Sequence, residues 1–418
     1  MIGATTATCG IAGLATLGVV IRPWNLPEYI WAVTGAVLLV ALGLLPWQEA
    51  VAAAGKGLDV YFFLIGMMLL AEVARQEGLF DWLAAQAVRW SHKSASKLFL
   101  IVYGVGILVT VFLSNDATAV VLTPAVYAAT RAARVEPLPY LFVCAFIANA
   151  ASFVLPISNP ANLVVFGAAM PPLLEWLHTF ALPSVVSIVA TYLLLRFTQR
   201  TELTKQVADP VSASHLTTSG KIAASGIAAT AIVLLMASGL GHDLGLPTLG
   251  CGVAVTALVL VRERKPPWPV CADVSWSVIP LVGGLFILVE GLNRTGVLPS
   301  LAELLKTAAT AAPHSTSWAA GLISAFASNL INNLPMGLIA ATTTQGAQVP
   351  HEVTGAVLIG VDLGPNLSVT GSLATILWLI ALRREGEHVG ALHFLRIGVV
   401  VMPFALVLAL LALSLVAS

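Results

Sequence analysis

Apolar runs long enough to enter a bilayer follow one another along almost the whole chain, and four of them are interrupted by polar residues. A membrane-crossing helix needs about 20 apolar residues. Unbroken runs predict spans at 2–21, 28–46, 58–76, 174–197, 222–241, 245–261, 276–293 and 391–417. The broken runs are 95–130, 138–170, 315–346 and 351–382. Ser114-Asn115-Asp116 splits the first of them and Ser328-Asn329…Asn332-Asn333 the third. Pro156-Ile157-Ser158-Asn159-Pro160 splits the second, where two prolines remove amide donors from the helical ladder. Asp362-Leu363-Gly364-Pro365-Asn366 splits the fourth. Polar groups in hydrocarbon are costly unless protein or water pairs them. The breaks are therefore expected to lie against protein or to line a cavity.

The order of runs repeats. Gly66 to Glu72, followed by Gly78, matches Gly284 to Glu290, followed by Gly296. Phe112-Leu113-Ser114-Asn115 matches Phe326-Ala327-Ser328-Asn329, and Asn149…Asn162 matches Asp362…Thr375. The pattern predicts an all-α polytopic membrane protein made of two repeats, 1–197 and 222–418, joined by a polar linker at 198–221. In each repeat the first broken run (95–130, 315–346) is expected to be a re-entrant hairpin and the second (138–170, 351–382) a broken helix. Each repeat then has five crossings, about ten transmembrane helices in all, and the odd number inverts the second repeat. On this topology 17 of the 20 Lys and Arg fall on one side, leaving Lys56, Arg294 and Lys306 on the other. Basic residues concentrate on the cytoplasmic side, which puts the linker in the cytoplasm and both termini outside. Inverted repeats with helices interrupted at matching places point to a secondary transporter with a site near the membrane midplane.

Candidate site residues follow from the breaks. The first hairpin tip offers Ser114, Asn115 and Thr118, with Asp116 beside them. The second arm begins at the tip, so its free N–H groups face the site. Asp116 has two compatible readings, a cap for that arm and a carrier of protons, because burial disfavours the charged form of a carboxyl. The first broken helix offers Ser158, Asn159 and Asn162. The second repeat offers Ser328, Asn329, Asn332 and Asn333 at its tip, and Asn366, Ser372 and Thr375 at its broken helix. Asp362 is the one carboxylate inside its apolar run, and intramembrane acids mark functional sites; it is the second proton candidate. Asn115 is expected to face Asn329 across the repeat axis. Glu72 and Glu290, near the ends of matching helices, are expected to snorkel or to pair with Arg75 and Arg294.

Composition agrees with the pattern and removes alternatives. The chain is 58% hydrophobic and 10% charged, with no net charge, whereas soluble domains carry about 25% charged residues. No global field calls for a nucleic-acid partner. Cys9, Cys144, Cys251 and Cys271 show no metal or redox spacing, and His92, His314, His351 and His388 have no ligand partners at metal spacing. No metal or other cofactor is expected. A phosphate-binding GxxxxGK[ST] loop is absent. No acid pair within one helical turn and no His cluster in a span suggests an intramembrane enzyme.

Three motifs carry a family resemblance. Residues 112–124 (Phe-Leu-Ser-Asn-Asp-Ala-Thr-Ala-Val-Val-Leu-Thr-Pro), 328–335 (Ser-Asn-Leu-Ile-Asn-Asn-Leu-Pro) and 360–378 (Gly-Val-Asp-Leu-Gly-Pro-Asn…Gly-Ser-Leu-Ala-Thr-Ile-Leu-Trp) resemble the ArsB family of arsenite/antimonite efflux pumps, within the ion transporter superfamily. The resemblance covers essentially the whole chain. It implies export of As(OH)₃ or Sb(OH)₃ across the inner membrane in exchange for protons, in some members with a separate soluble ATPase as partner. It also implies hairpins and broken helices that meet at the substrate site. Members often have an acid where this chain has Asn149, so an acidic role there does not carry over and falls on Asp116 and Asp362. Neutral As(OH)₃ presents three hydroxyls that amides and alcohols can match as donors and acceptors. A Na⁺/H⁺ antiporter, or another anion carrier of the superfamily, is the alternative.

Overall fold

The computed structural model describes residues 2–204 and 215–417; residues 205–214 of the expected linker lie outside the described residues. The first repeat contains α1 (Ile2–Ile21), α2 (Glu28–Ala41), α3 (Trp47–Gly55), α4 (Leu58–Gln76) and α5 (Leu79–Trp90). Its hairpin has one arm in α6 (Ala95–Phe112) and the other in α7 (Asn115–Ala117) and α8 (Thr123–Ala132), joined by a π-helical turn at Thr118–Leu122. Its broken helix is α9 (Leu138–Ala150) and α10 (Pro160–Phe166), and α11 (Leu173–Thr198) closes the repeat. The second repeat follows the same order: α12 (Thr218–Gly239), α13 (Gly245–Glu263), α14 (Trp268–Asp273), α15 (Val278–Arg294), α16 (Val297–Ala311), the hairpin α17 (Pro313–Ile331) and α18 (Asn333–Ala347), the broken helix α19 (His351–Leu363) and α20 (Leu373–Arg384), and α21 (Ala391–Ala417).

Ion pairs fix the relative direction of the matching helices α4 and α15. Arg75, at the end of α4, bonds Asp273 at the end of α14, just before α15 begins (2.7 Å). Arg294, at the end of α15, bonds Glu49 in α3, just before α4 begins. The two matching helices therefore run antiparallel and are tied at both ends. Glu72 pairs with Arg75 (2.6 Å), as expected from the sequence. Glu290 does not pair with Arg294; it takes Lys56 instead (2.6 Å), because Arg294 is engaged with Glu49.

Four of the described helices, α3, α5, α14 and α16, had no counterpart in the hydropathy pattern. Helices α5 and α16 are too short to span a membrane, and each starts where a glycine turns the chain, Gly78 (φ 72) and Gly296 (φ 83). The bend between α15 and α16 is 75°. Among the described residues six helices are long and apolar enough to cross a membrane, or eight when the bent pairs α3–α4 and α15–α16 each count as one.

The helices sort into two bodies. In one, α4 packs on α13 and α15 packs on α2, each crossing between repeats. Helices α4 and α13 meet at Gly66 and Gly252, where an added Cβ on either residue would overlap backbone of the other helix. Gly284, the match of Gly66, lies on the backbone of Ala32 in α2. Small residues let membrane helices approach where no hydrophobic drive separates helix from lipid. In the other body, α11 packs on α21 and α17 on α19. There, α10 lies against α18, and α20 lies against the π-turn of the first hairpin. Each broken helix thus rests its second half on the hairpin of the opposite repeat.

Candidate transport site

The first tip turns at Leu113, which leaves the helix at φ −114 and ψ −80. Ser114 is extended, and its Oγ accepts the Ala117 N–H (3.1 Å) as the N-cap of the second arm. Ser114, and not Asp116, therefore caps that arm: the side chain that reaches the third N–H is the one just before the helix starts. The Asp116 N–H is taken by Asn115 Oδ1 (2.9 Å). A hydrogen bond between the Thr110 and Thr118 hydroxyls (2.8 Å) locks the two arms together. The π-turn follows immediately, a feature found often at functional sites.

The second tip turns at Asn332, whose φ of 74 is left-handed. Its Oδ1 accepts the Leu334 N–H (3.3 Å), and its Nδ2 donates to the Thr370 carbonyl (3.2 Å). The Asn333 N–H donates to the Gly371 carbonyl (2.9 Å). Since α7 starts at Asn115 and α18 at Asn333, Asn115 corresponds to Asn333 and not to Asn329. Asn329 lies a turn earlier and is spent on the α19–α20 break: its Nδ2 donates to the Gly364 carbonyl (2.9 Å) and its Oδ1 accepts from Ser368 Oγ (2.7 Å).

Three cavities follow one another along α4. A vestibule of about 670 Å³ is bordered by Lys56, Asp59, Asp243, Glu290, Asn293 and Gln345. A crevice of about 10 Å³ lies where Asn115, Asp116, Asn159 and Asn333 come together, with Leu64 of α4 and Val278 of α15 opposite. A third cavity, about 80 Å³, reaches from Ser114 and Asp116 past Met67 and Met68 to Glu72 and Asp273. Hairpin tips and the start of α10 form one wall of this route, and α4 and α15 form the other.

The remaining candidates hold the breaks in shape. Asn162 Nδ2 faces the carbonyls of Ser152, Leu155 and Pro156 (2.9, 3.1 and 3.3 Å) at the proline break. Ser158 Oγ accepts the Leu155 N–H and donates to the Val111 carbonyl (both 3.2 Å), joining the break to the first hairpin. Ser372 Oγ caps α20 through the Thr375 N–H (3.1 Å). Ser328 Oγ back-bonds to the Ser324 carbonyl (2.8 Å). Asn366 Nδ2 donates to the Phe146 carbonyl (3.0 Å), and its Oδ1 accepts from Asn149 Nδ2 (3.0 Å). Asp362 is fully buried and accepts a bond from Asn159 Nδ2 (2.8 Å). No group of three or more His, Cys, Asp or Glu able to hold a metal ion occurs among the described residues.

A sequence profile of the family described as "Citrate transporter" (CitMHS) matches residues 17–360. The chain belongs to that family. Among curated relatives, the arsenical pump membrane protein of Escherichia coli is 25% identical over 404 residues, covering 92% of this chain and 93% of that protein. The arsenical pump membrane protein of Yersinia enterocolitica is 25% identical over 371 residues, covering 84% and 85%. The crystal structure of the YdaH transporter from Alcanivorax borkumensis, described as having an unusual topology, superposes with a TM-score of 0.56 at 18% identity, covering 88% of this chain and 87% of that one. At that identity the likeness concerns the fold. The chain is thus a multi-pass membrane transporter, with relatives that match 84–92% of its length.

In this CitMHS-family chain, further residues that sequence reasoning did not name border the cavities. Leu64, Met67 and Met68 of α4 wall the route, and as apolar residues in an apolar run they give no chemical signal. Lys56 and Asp243 border the vestibule from short connections that hydropathy treats as spacers, and Asp59 borders it from the first turn of α4.

Proposed function

We propose that this protein exports trivalent arsenite or antimonite, as neutral As(OH)₃ or Sb(OH)₃, in exchange for protons. The observation that carries the reading is the lining of the central crevice and the cavity beside it. Asn115, Asn159 and Asn333 supply amides, Ser114 a hydroxyl and Asp116 a carboxyl, and no Lys or Arg borders either cavity among the described residues. A neutral polyol of arsenic needs paired donors and acceptors. A polycarboxylate needs fixed cations to offset its desolvation. The arsenical pump relatives support the same cargo class.

Asp116 is the proton carrier in this reading, because it borders both the crevice and the neighbouring cavity. Protonation and cargo binding then compete in one place, which is what exchange requires. The hairpins and broken helices move as one body against α4, α15 and the helices that brace them, opening the crevice to one side at a time. The membrane is the inner membrane, crossed about ten times, with both termini outside and the linker in the cytoplasm. The vestibule beside Lys56 then faces outward. Association with a soluble ATPase is tested by adding such a subunit and ATP to the transport assay.

A second reading follows from the family description, a citrate or other anion carrier, and a third is Na⁺/H⁺ antiport. Uptake into inverted vesicles separates them. Arsenite accumulation driven by an imposed pH gradient is expected. Citrate accumulation, or Na⁺-dependent proton movement without arsenite transport, would overturn the reading.

A further inference from the structure

Asp362 is a fully buried carboxyl that borders none of the three cavities, and its part follows from what it touches. Its Oδ1 accepts a hydrogen bond from Asn159 Nδ2 (2.8 Å), and its Oδ2 has no partner among the described residues. Asn159 belongs to the other repeat and borders the central crevice. Its own Oδ1 accepts the Ala161 N–H (3.0 Å) at the start of α10. A flipped amide would turn its NH₂ toward the Ala161 N–H and its oxygen toward the carboxylate, so both contacts would become repulsive. The acceptor on one side and the donor on the other therefore fix which way the amide points.

We infer that Asp362 is a positioning residue: it reaches across the repeat boundary to set the Asn159 amide that faces the cargo. This replaces the proton role expected of it from sequence, and it rests on the proposed reading of the crevice as the cargo site. The surroundings agree. On the elements packed against α19, the charged or titratable groups are His393 and Arg396 of α21, His314 of α17, and Tyr140 and Cys144 of α9; Tyr140, His314, His393 and Arg396 lie in the first two turns of their helices and Cys144 in the middle of α9. On α19 itself, His351 and Glu352 lie in the first turn. Asn159 is the hydrogen-bond partner that the structure gives to Asp362.

The test uses full-length protein in inverted vesicles, with arsenite uptake measured against concentration and pH. Asp362→Ala and Asn159→Ala are each expected to raise KM about tenfold, the loss of roughly one charge-assisted hydrogen bond, with the pH profile unmoved. The double variant is expected to be no worse than either single, as for two residues acting through one contact. Asp362→Asn keeps an acceptor oxygen for Asn159 and is expected to restore KM to within about threefold of wild type. Loss of pH-driven accumulation in Asp362→Asn overturns the inference, as do additive effects in the double variant or a wild-type KM in Asn159→Ala. If the alanine variant at 362 does not fold, the other two still decide. A wild type that moves no arsenite overturns the functional reading instead. In that case a density map of Asp362→Asn decides the inference: an Asn159 still bonded to residue 362 and to the Ala161 N–H supports it, and an Asn159 turned away overturns it.

Discussion

The two hairpin tips occupy matching places and are built differently. The first is held by its own arms, through the Ser114 cap and the Thr110–Thr118 bond, and leaves Asp116 beside a cavity. The second is held by the broken helix of its own repeat, through Asn332 to Thr370, Asn333 to Gly371 and Asn329 to Gly364. One tip spends its polar groups on itself and leaves an acid beside a cavity. The other spends them on anchoring and offers an amide to the crevice. Duplication supplies the architecture twice, and divergence divides the work.

The largest effect expected from breaking this contrast is at the acid. Asp116→Asn should reduce pH-driven arsenite accumulation by about a hundredfold, in line with the removal of a group that must carry a proton, while arsenite counterflow without a pH gradient persists. Measuring both fluxes in the same vesicles checks it. Loss of counterflow as well would make Asp116 a structural residue.

The amides come next. Asn115→Ala and Asn333→Ala should each raise the KM for arsenite about tenfold, since each removes one hydrogen-bonding group facing cargo. Concentration-dependent uptake measures this. An effect at Asn115 alone would mean that the second tip only anchors.

The caps give the smallest effects and separate the tips by their hydrogen bonds. Ser114 is extended, so Ser114→Ala should cost about 1 kcal/mol through the lost cap. Asn332 caps its arm and also donates to the Thr370 carbonyl, so Asn332→Ala should cost about 2 kcal/mol, one cap and one further hydrogen bond. Thermal melts of detergent-solubilised variants should rank Asn332→Ala below Ser114→Ala. The reverse order would contradict the assigned hydrogen bonds.

Much of the architecture was legible because hydrocarbon is an unforgiving solvent. Polar residues inside apolar runs have few permissible explanations, so the breaks at 114–116, 156–160, 328–333 and 362–366 marked where the helices part. The register of the second tip was not legible. Matching Phe112-Leu113-Ser114-Asn115 to Phe326-Ala327-Ser328-Asn329 follows letters, whereas the tip lies where the backbone turns, and Asn332 turns it one helical turn later. Helices α5 and α16 escaped for a different reason, since an amphipathic helix too short to span leaves no hydropathy peak, although Gly78 and Gly296 marked their starts. Which polar residues face cargo was also hidden. Ser158, Asn162, Ser328 and Asn366 have the same chemistry as Asn115 and Asn159, and only their hydrogen bonds to backbone carbonyls show that they are spent on packing.

The central claim is that Asp116, in an amide-lined crevice without cations, exchanges a proton for a neutral hydroxylated metalloid. Arsenite uptake into inverted vesicles under an imposed pH gradient, wild type against Asp116→Asn, tests it most directly. The account predicts accumulation that follows the gradient in wild type and disappears in the variant. Equal gradient-driven accumulation in both would contradict it.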